Sequence, residues 1–287
     1  MLGEIGGHNI VITVLPKIST PTATVAIQLL NEFPSIRFGL LVGIGGGVPN
    51  KEEDGNDIRL GDVVVNKPTV SFGGIIQHNL VKYSIGGSFE RTGVLAKPPL
   101  LLRASVETLA ADHRIKGSRV PQYLSDMLQQ FPAMEEEYSH PGAQQDQLFQ
   151  ADYPHPGGLN CHNCDKQRIV ERDDRRNKNP KFHYGTIGSA NTVVKDAGLR
   201  EELRRALKII CVEMEAAGLM DSFPCLVIRG ICDYADSHKN KKWQPYAAAT
   251  AAAYMKELLS VIPPKDVANV SPATEVVQVP SEHLSTH

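Results

Sequence analysis

Two acidic segments in the second half of the chain could carry out chemistry on a bound ligand. Residues 211–218 (CVEMEAAG) place Glu213 and Glu215 where an apolar run gives way to a helix-like one. Residues 230–238 (GICDYADSH) place Asp233 just beyond another apolar run. Proteins with α/β sheets commonly bind ligands at the carboxyl ends of their strands. Glu215 and Asp233 are therefore candidates for a site, whereas Glu213 also fits a carboxylate that stabilises the first turn of a helix.

A third segment, residues 40–50 (LLVGIGGGVPN), is an apolar run that continues into several glycines. A dinucleotide-binding G-x-G-x-x-G counted from Gly43 fails because Val48 occupies its last position, and the Gly-Lys-Ser/Thr of a P-loop is absent. The glycines predict either tight turns with positive φ or a close approach of the backbone to another group.

One C-x-x-C motif, Cys161 to Cys164, has His155 and His162 nearby. A structural zinc site usually needs four ligands, so a single pair of cysteines is an incomplete signal. We expect neither a metal nor a cofactor, and Cys161 and Cys164 remain the candidate ligands if a metal is bound.

These segments need a sheet to position them. Short apolar runs rich in β-branched residues predict strands at 9–16, 37–43, 61–65, 69–78, 181–189, 209–212 and 224–231. Helical periodicity and capping residues predict helices at 20–30, 98–113, 121–131, 197–207, 213–223 and 246–262. Buried strands that alternate with helices indicate an α/β fold, a three-layer α/β/α arrangement with a central mixed, largely buried sheet. We expect one domain over residues 1–263, with a polar surface excursion at 132–180 and a flexible tail or linker at 264–287.

The composition narrows the class of partner. The chain has 287 residues, 41% of them hydrophobic, and a formal net charge of -2, which gives no reason to expect nucleic acid as a partner. No run approaches the roughly 20 apolar residues that span a bilayer, and the first residues lack a secretory signal. We expect an intracellular, cytoplasmic protein with reduced cysteines and no membrane partner.

The segments GIGGG (43–47), GDVVV (61–65), CVEMEAAG (211–218) and IRGICDYADSHKN (228–240), in this order, resemble the purine and uridine phosphorylase superfamily. The resemblance covers about residues 3 to 263 and looks closest to the nucleoside phosphorylase-like domains of fungal NACHT or ankyrin-repeat, NLR-like proteins. It implies cleavage of the N-glycosidic bond of a purine nucleoside or nucleotide, by phosphate or by water, in a homo-oligomer without a cofactor.

The resemblance also implies roles for individual residues. Asp233 would protonate the leaving purine, and Glu215 would accept hydrogen bonds from the ribose hydroxyls. For Asp233 to act as an acid near neutral pH, we expect burial beside other carboxylates to favour its protonated form. The other residues that the resemblance places around the substrate are Met214, Gly43, Gly45, Gly46, Val193, Val194 and Cys232.

Two departures from the superfamily pattern leave alternatives open. Leu41 and Ile44 stand where bacterial hexameric phosphorylases have an arginine and a serine, which favours hydrolysis over phosphorolysis. Family members also begin with a further strand, whose absence would leave an open edge in the sheet. A purine-sensing module without catalysis is therefore a second hypothesis, and a metal-dependent hydrolase that uses Asp233, Asp236 and His238 is a third.

Overall fold

The structure is a computed structural model that describes residues 1–15, 22–70, 72–78, 81–83, 89–91, 95–158, 160–220, 223 and 225–276. Its strands are β1 (Leu2–Ile5), β2 (His8–Val11), β3 (Gly39–Gly47), β4 (Val63–Asn66), β5 (Ile75–Gln77), β6 (Val81–Tyr83), β7 (Phe89–Arg91), β8 (Phe182–Ser189), β9 (Ile209–Glu213) and β10 (Cys225–Asp233). Its α-helices are α1 (Thr22–Glu32), α2 (Lys51–Asp54), α3 (Leu100–Lys116), α4 (Val120–Gln130), α5 (Glu135–Tyr138), α6 (Ala197–Leu207), α7 (Ala217–Met220), α8 (Gln244–Ser260), α9 (Pro264–Ala268) and α10 (Ala273–Val276).

A mixed sheet in the order β4-β10-β3-β9-β8-β5 forms the centre of the fold. The amino-terminal half of β8 also pairs with β4, which closes the sheet on itself. Helix α8 packs against β10, β3 and β4, and its buried face includes Ala247, Ala251 and Tyr254. The expected α/β fold with a central mixed sheet and flanking helices is confirmed.

Strand β3 pairs unevenly along its two sides. On one side its residues from Gly39 to Gly46 pair in parallel with β10. On the other side, Gly46 and Gly47 pair with β9, and the stretch from Gly39 to Gly45 has no strand partner within the described ranges. An open strand edge therefore runs beside the first glycines of the segment.

Of the two alternatives predicted for these glycines, the tight turn with positive φ is not the one that the structure shows. Gly43, Gly45 and Gly46 are part of the extended strand β3, and none of them has a positive φ. Glycine is needed here because other groups approach the strand closely, which is the second of the two predicted reasons.

The first predicted strand, at residues 9–16, is also wrong in its pairing and length. Strand β2 ends at Val11 and pairs only locally, in an antiparallel hairpin with β1. Gly6 and Gly7 form the connection with φ of 60° and 82°, the signature of a two-residue hairpin turn that matches the twist of the strands. Ile12 and Val14 are exposed, so this segment does not enter the central sheet.

Other predicted elements differ mainly in length. Of the strand predicted at 69–78 the described residues form β5, and of the helix predicted at 213–223 they form α7; residues 71, 221 and 222 lie outside the described ranges. Helices α3, α4, α6 and α8 and strand β8 lie where they were predicted. Asp196 caps α6 by accepting a hydrogen bond from the Leu199 N–H (3.1 Å).

Part of the expected flexible tail forms two short helices, α9 and α10. Pro264 suits the first turn of α9, because proline has the backbone angle of a helix and needs no donor there. Ala273 is fully buried, and its N–H donates to Ile36 O (2.7 Å). The predicted tail or linker therefore contains two short helices up to residue 276, and residues 277–287 lie outside the described ranges.

The segment 132–180 consists of short helical turns and extended stretches. Its side chains are mostly exposed, but Leu148, Phe149 and Cys164 are buried. Among the described residues, no helix is long and apolar enough to cross a bilayer.

Candidate active site

A buried arginine on β10 joins Glu213, the last residue of β9, to Glu215 in the turn that follows. Arg229 Nη2 donates to Glu213 Oε2 and lies 3.0 Å from Glu215 Oε2. Arg229 and Glu213 are almost completely buried, whereas the Glu215 side chain is 40% exposed. The three residues form one charged cluster in which Glu215 faces the accessible side.

The glycines of β3 make room for this cluster. Gly43 pairs with Arg229 across the two strands, and a Cβ at Gly43 would overlap Arg229 Nη1. A Cβ at Gly45 would lie 2.7 Å from Cys211 Sγ and 3.0 Å from Val212 O. Side chains at these positions would displace the arginine or separate β3 from β9.

Glu213 also organises the chain after β9. Its carboxylate accepts hydrogen bonds from the backbone N–H groups of Glu215 (3.1 Å) and Ala216 (3.0 Å). Ser189 Oγ accepts from the Ala217 N–H (2.9 Å). These contacts hold the turn that carries Met214 and Glu215. Glu213 thus accepts hydrogen bonds from backbone N–H groups that precede a helix, as the alternative prediction for this residue describes.

The ionisation of Glu215 is tuned by its surroundings. Burial raises the pKa of Glu215; the Arg229 guanidinium opposes this change and the Glu213 carboxylate adds to it. A carboxylate in such a place is a strong acceptor for hydroxyl donors, because partial burial reduces competition from water.

Asp233 is the last residue of β10, the strand that also carries Arg229. Its Oδ1 accepts from the Ala235 N–H (2.8 Å) and lies 3.1 Å from Lys239 Nζ, and its Oδ2 lies 3.4 Å from Cys232 Sγ. The charged group in contact with Asp233 is therefore a lysine and not another carboxylate. A Cβ at Gly46 would lie 2.9 Å from Asp233 Oδ1, so this glycine also makes room for a site residue.

Buried side chains from distant segments hold the loop beyond Asp233. Arg200 of α6 donates to Tyr234 O (3.0 Å) and lies 3.7 Å from Asp236 Oδ2. The Tyr234 hydroxyl donates to Asp146 Oδ1 and accepts from Arg172 Nη1 (2.7 Å). Asp146 and Arg172 belong to the segment 132–180, which is thereby fastened next to Asp233.

A second charged cluster, at Asp62 of GDVVV, fastens the same segment to the sheet. Asp62 accepts from Arg175 Nη1 (2.6 Å) and Nη2 (2.7 Å) and from the Lys181 N–H (2.9 Å), and its Oδ2 lies 2.9 Å from His183 Nε2. Burial opposes ionisation of Asp62, but the hydrogen bonds from Arg175 and His183 outweigh it and lower the pKa of the carboxyl. Asp62 is therefore a structural anion at the base of the segment.

The remaining predicted site residues lie at different depths. Met214 is half-buried beside Glu215, and Cys232 is buried beside Asp233. Val193 is 50% exposed, whereas Val194 is buried in a small apolar cluster that includes Ala235. Asp233, Asp236 and His238 do not form a group with metal-binding spacing in the part of the chain that the structure describes.

Sequence reasoning did not identify three residues at or beside the site. Arg229 is a lone cation within an apolar strand, a pattern that indicates a buried anionic partner. His78, after β5, is buried and its Nε2 has no hydrogen-bond partner among the described residues; burial lowers the pKa of His78, while Glu213 opposes this shift. Lys239 follows Asp233 in the sequence, but the loop geometry that brings them together carries no sequence signal.

Comparisons with known proteins give relatives in sequence and in fold. No family model matches the chain. Over 265 residues it is 46% identical to a nucleotide-binding leucine-rich repeat (NLR)-like protein of Hyaloscypha variabilis, which covers 92% of this chain and 26% of the relative. Over 80 residues it is 35% identical to the ATP nucleosidase Cap17 of Escherichia coli, covering 26% of this chain and 16% of that protein. The chain thus spans about a quarter or less of the length of these relatives.

Two solved nucleosidases share its fold. One is the 5'-methylthioadenosine/S-adenosylhomocysteine nucleosidase from Neisseria meningitidis in complex with methylthio-immucillin-A, with a TM-score of 0.53 at 16% identity over 91% of this chain and 84% of that chain. The other is the corresponding enzyme from S. pneumoniae with a transition-state inhibitor, with a TM-score of 0.52 at 15% identity over 91% of this chain and 85% of that chain. At this identity the likeness establishes the fold: the chain has the α/β fold of these nucleosidases.

Proposed function

We propose that this chain cleaves the N-glycosidic bond of a purine nucleoside or nucleotide. The observation that carries the proposal is that Glu215 follows β9 and Asp233 ends β10, the two strands that pair with the glycine-rich β3 on either side in a nucleosidase fold. The names of Cap17 and of the two structural relatives support the same reaction class.

In the proposed reaction, Glu215 accepts hydrogen bonds from the ribose hydroxyls and Met214 packs against the sugar. Arg229 acts as a positioning residue, because it holds Glu215 and balances the buried charge of Glu213. Fixing the sugar in this way lowers the barrier by orienting the bond that breaks.

The bond between the sugar carbon and the purine nitrogen breaks with its electron pair going to the purine. Asp233 donates a proton to the purine ring, so the base leaves as a neutral molecule, and water or phosphate adds to the ribose cation that remains. For this step the contact between Asp233 and Lys239 must open, so that the Asp233 carboxyl group can face the purine. The phosphates of a nucleotide offer Lys239 another anionic partner.

A panel of substrates tests the proposal. Adenosine, inosine, 5'-methylthioadenosine and ATP are incubated with the folded chain, with and without inorganic phosphate, and free base is measured by chromatography. We expect base release from at least one of them. Release that is independent of phosphate identifies hydrolysis, and release that requires phosphate identifies phosphorolysis. No base from any substrate, with circular dichroism showing a folded protein, contradicts the proposal.

The second candidate is a module that binds a purine nucleoside or nucleotide without turnover. The open edge of β3 favours it, since this side of the glycines lacks a strand partner among the described residues. Calorimetry with the same ligands separates the two candidates: binding without base release supports the module, and release supports the enzyme.

A further inference from the structure

The C-x-x-C motif and its neighbouring histidine come together in space. The ligand atoms of His155, Cys161 and Cys164 all lie within 4.8 Å of one another. Among the described residues, no other group of three His, Cys, Asp or Glu side chains has its ligand atoms this close together. Both cysteines are free thiols. The group lies in the segment 132–180, and the proposed reaction does not use it.

Local backbone structure places the two sulfurs together. Cys161–Asn163 forms a 3-10 turn, and the Cys164 N–H donates to Cys161 O (3.3 Å). The Asn160 side chain caps this turn by accepting from the His162 N–H (3.1 Å). His162 itself is exposed. This turn brings the two thiol groups close enough for one ion to contact both.

A fourth side chain, His238, stands beside this group and points independently to a ligand. The His238 side chain is only 3% exposed, and its Nε2 has no hydrogen-bond partner among the described residues. Its ring stacks on Phe149 at 4.0 Å and lies 5.2 Å from the ring of His155. Cys161 Sγ lies 3.9 Å from His238 O. A buried ring nitrogen without a partner is rare, because leaving it unpaired costs free energy.

We propose that His155, Cys161, Cys164 and His238 form a structural zinc site. Two thiolates and two imidazoles are a common tetrahedral set for zinc, and the two negative charges balance the charge of the ion, so the site can be buried. Each thiol releases its proton when zinc binds. Ligand atoms around zinc lie about 3.5 Å apart, whereas those of His155, Cys161 and Cys164 lie within 4.8 Å of one another, so zinc binding requires these three to approach by up to about 1 Å and His238 Nε2 to join them.

Neighbouring groups are suited to orient the two histidines. His155 Nε2 is 3.1 Å from Asn160 O, and a donor role for Nε2 leaves Nδ1 to bind zinc in place of its contact with the Gly157 N–H. His238 Nδ1 lies 4.0 Å from Asp236 Oδ1, so its Nε2 is the atom free to bind. Zinc-bound histidines usually donate their second ring N–H to a carbonyl or a carboxylate in this manner.

The site would join the segment 132–180 to the loop that follows Asp233. His155 and the two cysteines belong to that segment, and His238 belongs to the loop. The His155 N–H already donates to Ser237 Oγ (2.9 Å) across the same junction. Zinc would therefore stabilise the position of the loop without touching the substrate.

Metal analysis of the full chain tests this inference. Protein produced in zinc-supplemented medium is freed of loosely bound metal and measured by plasma mass spectrometry, and the metal-free reduced form is titrated with Co²⁺. We expect about one zinc ion per chain and the absorption of tetrahedral cobalt with sulfur ligands. Cys161→Ser and Cys164→Ser should each lower the zinc content below about one tenth of an ion per chain, and His238→Ala should weaken binding.

The matched control is His162→Ala, which removes a histidine from the same motif without removing a proposed ligand. It should keep the zinc content of the unaltered chain. If the cysteine variants do not fold, removal of zinc from the unaltered chain by a chelator should still lower its thermal midpoint, and zinc should restore it. A folded, reduced chain that binds neither zinc nor cobalt overturns the inference, as does a Cys161–Cys164 disulfide that is the stable form under cellular reducing conditions.

Discussion

Arg229→Met tests the charged cluster beneath the candidate ribose site. The change keeps an unbranched apolar side chain and removes the guanidinium that contacts Glu213 and Glu215. Glu213 is then left buried with backbone N–H donors but without a counter-charge. Removing one partner of a buried ion pair lowers the free energy of unfolding by about 3–5 kcal/mol. Because backbone donors to Glu213 remain, we expect a loss of about 3 kcal/mol. For a protein of this size that corresponds to a fall in the thermal midpoint of roughly 6–12 °C.

Thermal unfolding and urea denaturation measure the loss, and two further variants interpret it. Glu213→Gln combined with Arg229→Met removes both charges and should recover at least half of the lost stability, because a neutral pair is less costly to bury than a single charge. Arg205→Met, an exposed arginine on α6, should change the free energy of unfolding by less than about 0.5 kcal/mol. A loss below about 1 kcal/mol for Arg229→Met, or a double variant no more stable than the single one, would show that Arg229 does not balance a buried charge on Glu213.

Three further predictions follow from the contacts around the site. Gly46→Ala places a Cβ 2.9 Å from Asp233 Oδ1 and should lower kcat for base release by about tenfold or more, whereas Gly218→Ala, where a Cβ meets nothing within 4 Å, should keep it; equal rates for the two variants contradict the prediction. The pKa of Asp62 is lowered in the folded state, so its contribution to stability is present above the unfolded value of about 3.9 and is lost as the pH falls through the folded value. Asp62→Asn should therefore destabilise the chain at neutral pH and flatten the decline in acid, as measured by urea midpoints from pH 7 downwards; an unchanged pH profile argues against this anchor. Lys239→Met removes the cation 3.1 Å from Asp233 Oδ1 and should weaken the binding of a nucleotide more than that of its nucleoside, as measured by calorimetry, because the proposal pairs Lys239 with the phosphates; equal losses for both ligands would exclude the assigned role of the lysine.

The sequence predicted the fold well where one periodicity decided the structure. Helices α6 and α8 and strand β8 have clear stripes or runs and lie where they were expected. The hairpin of β1 and β2 was misread because the apolar run at 9–16 was given more weight than the Gly6-Gly7 turn signal before it. The glycines of β3 left two alternatives open because a strand that must accept Arg229 has the same composition as a loop, and only the folded chain distinguishes them.

The candidate site was only partly predictable for a physical reason. Carboxylates at strand ends can be read locally, so Glu215 and Asp233 could be chosen as candidates from the sequence. Their partners Arg229 and Lys239 depend on register between distant strands and on the path of one loop, which local patterns do not encode. The group of His155, Cys161 and Cys164 was visible as a motif, but its neighbour His238 becomes evident only once the chain is folded.

Asp233 is proposed to donate the proton to the leaving purine. The rate of base release by Asp233→Asn, compared with that of Asp196→Asn, tests this role, with the substrate that the unaltered chain cleaves fastest. Asp196 caps α6, and asparagine caps a helix equally well, so the same chemical change is harmless there. If Asp233 is the proton donor, Asp233→Asn should lose about a hundredfold or more in kcat while ligand binding persists, and Asp196→Asn should keep the rate. An Asp233→Asn variant that releases base at the rate of the unaltered chain would contradict this role.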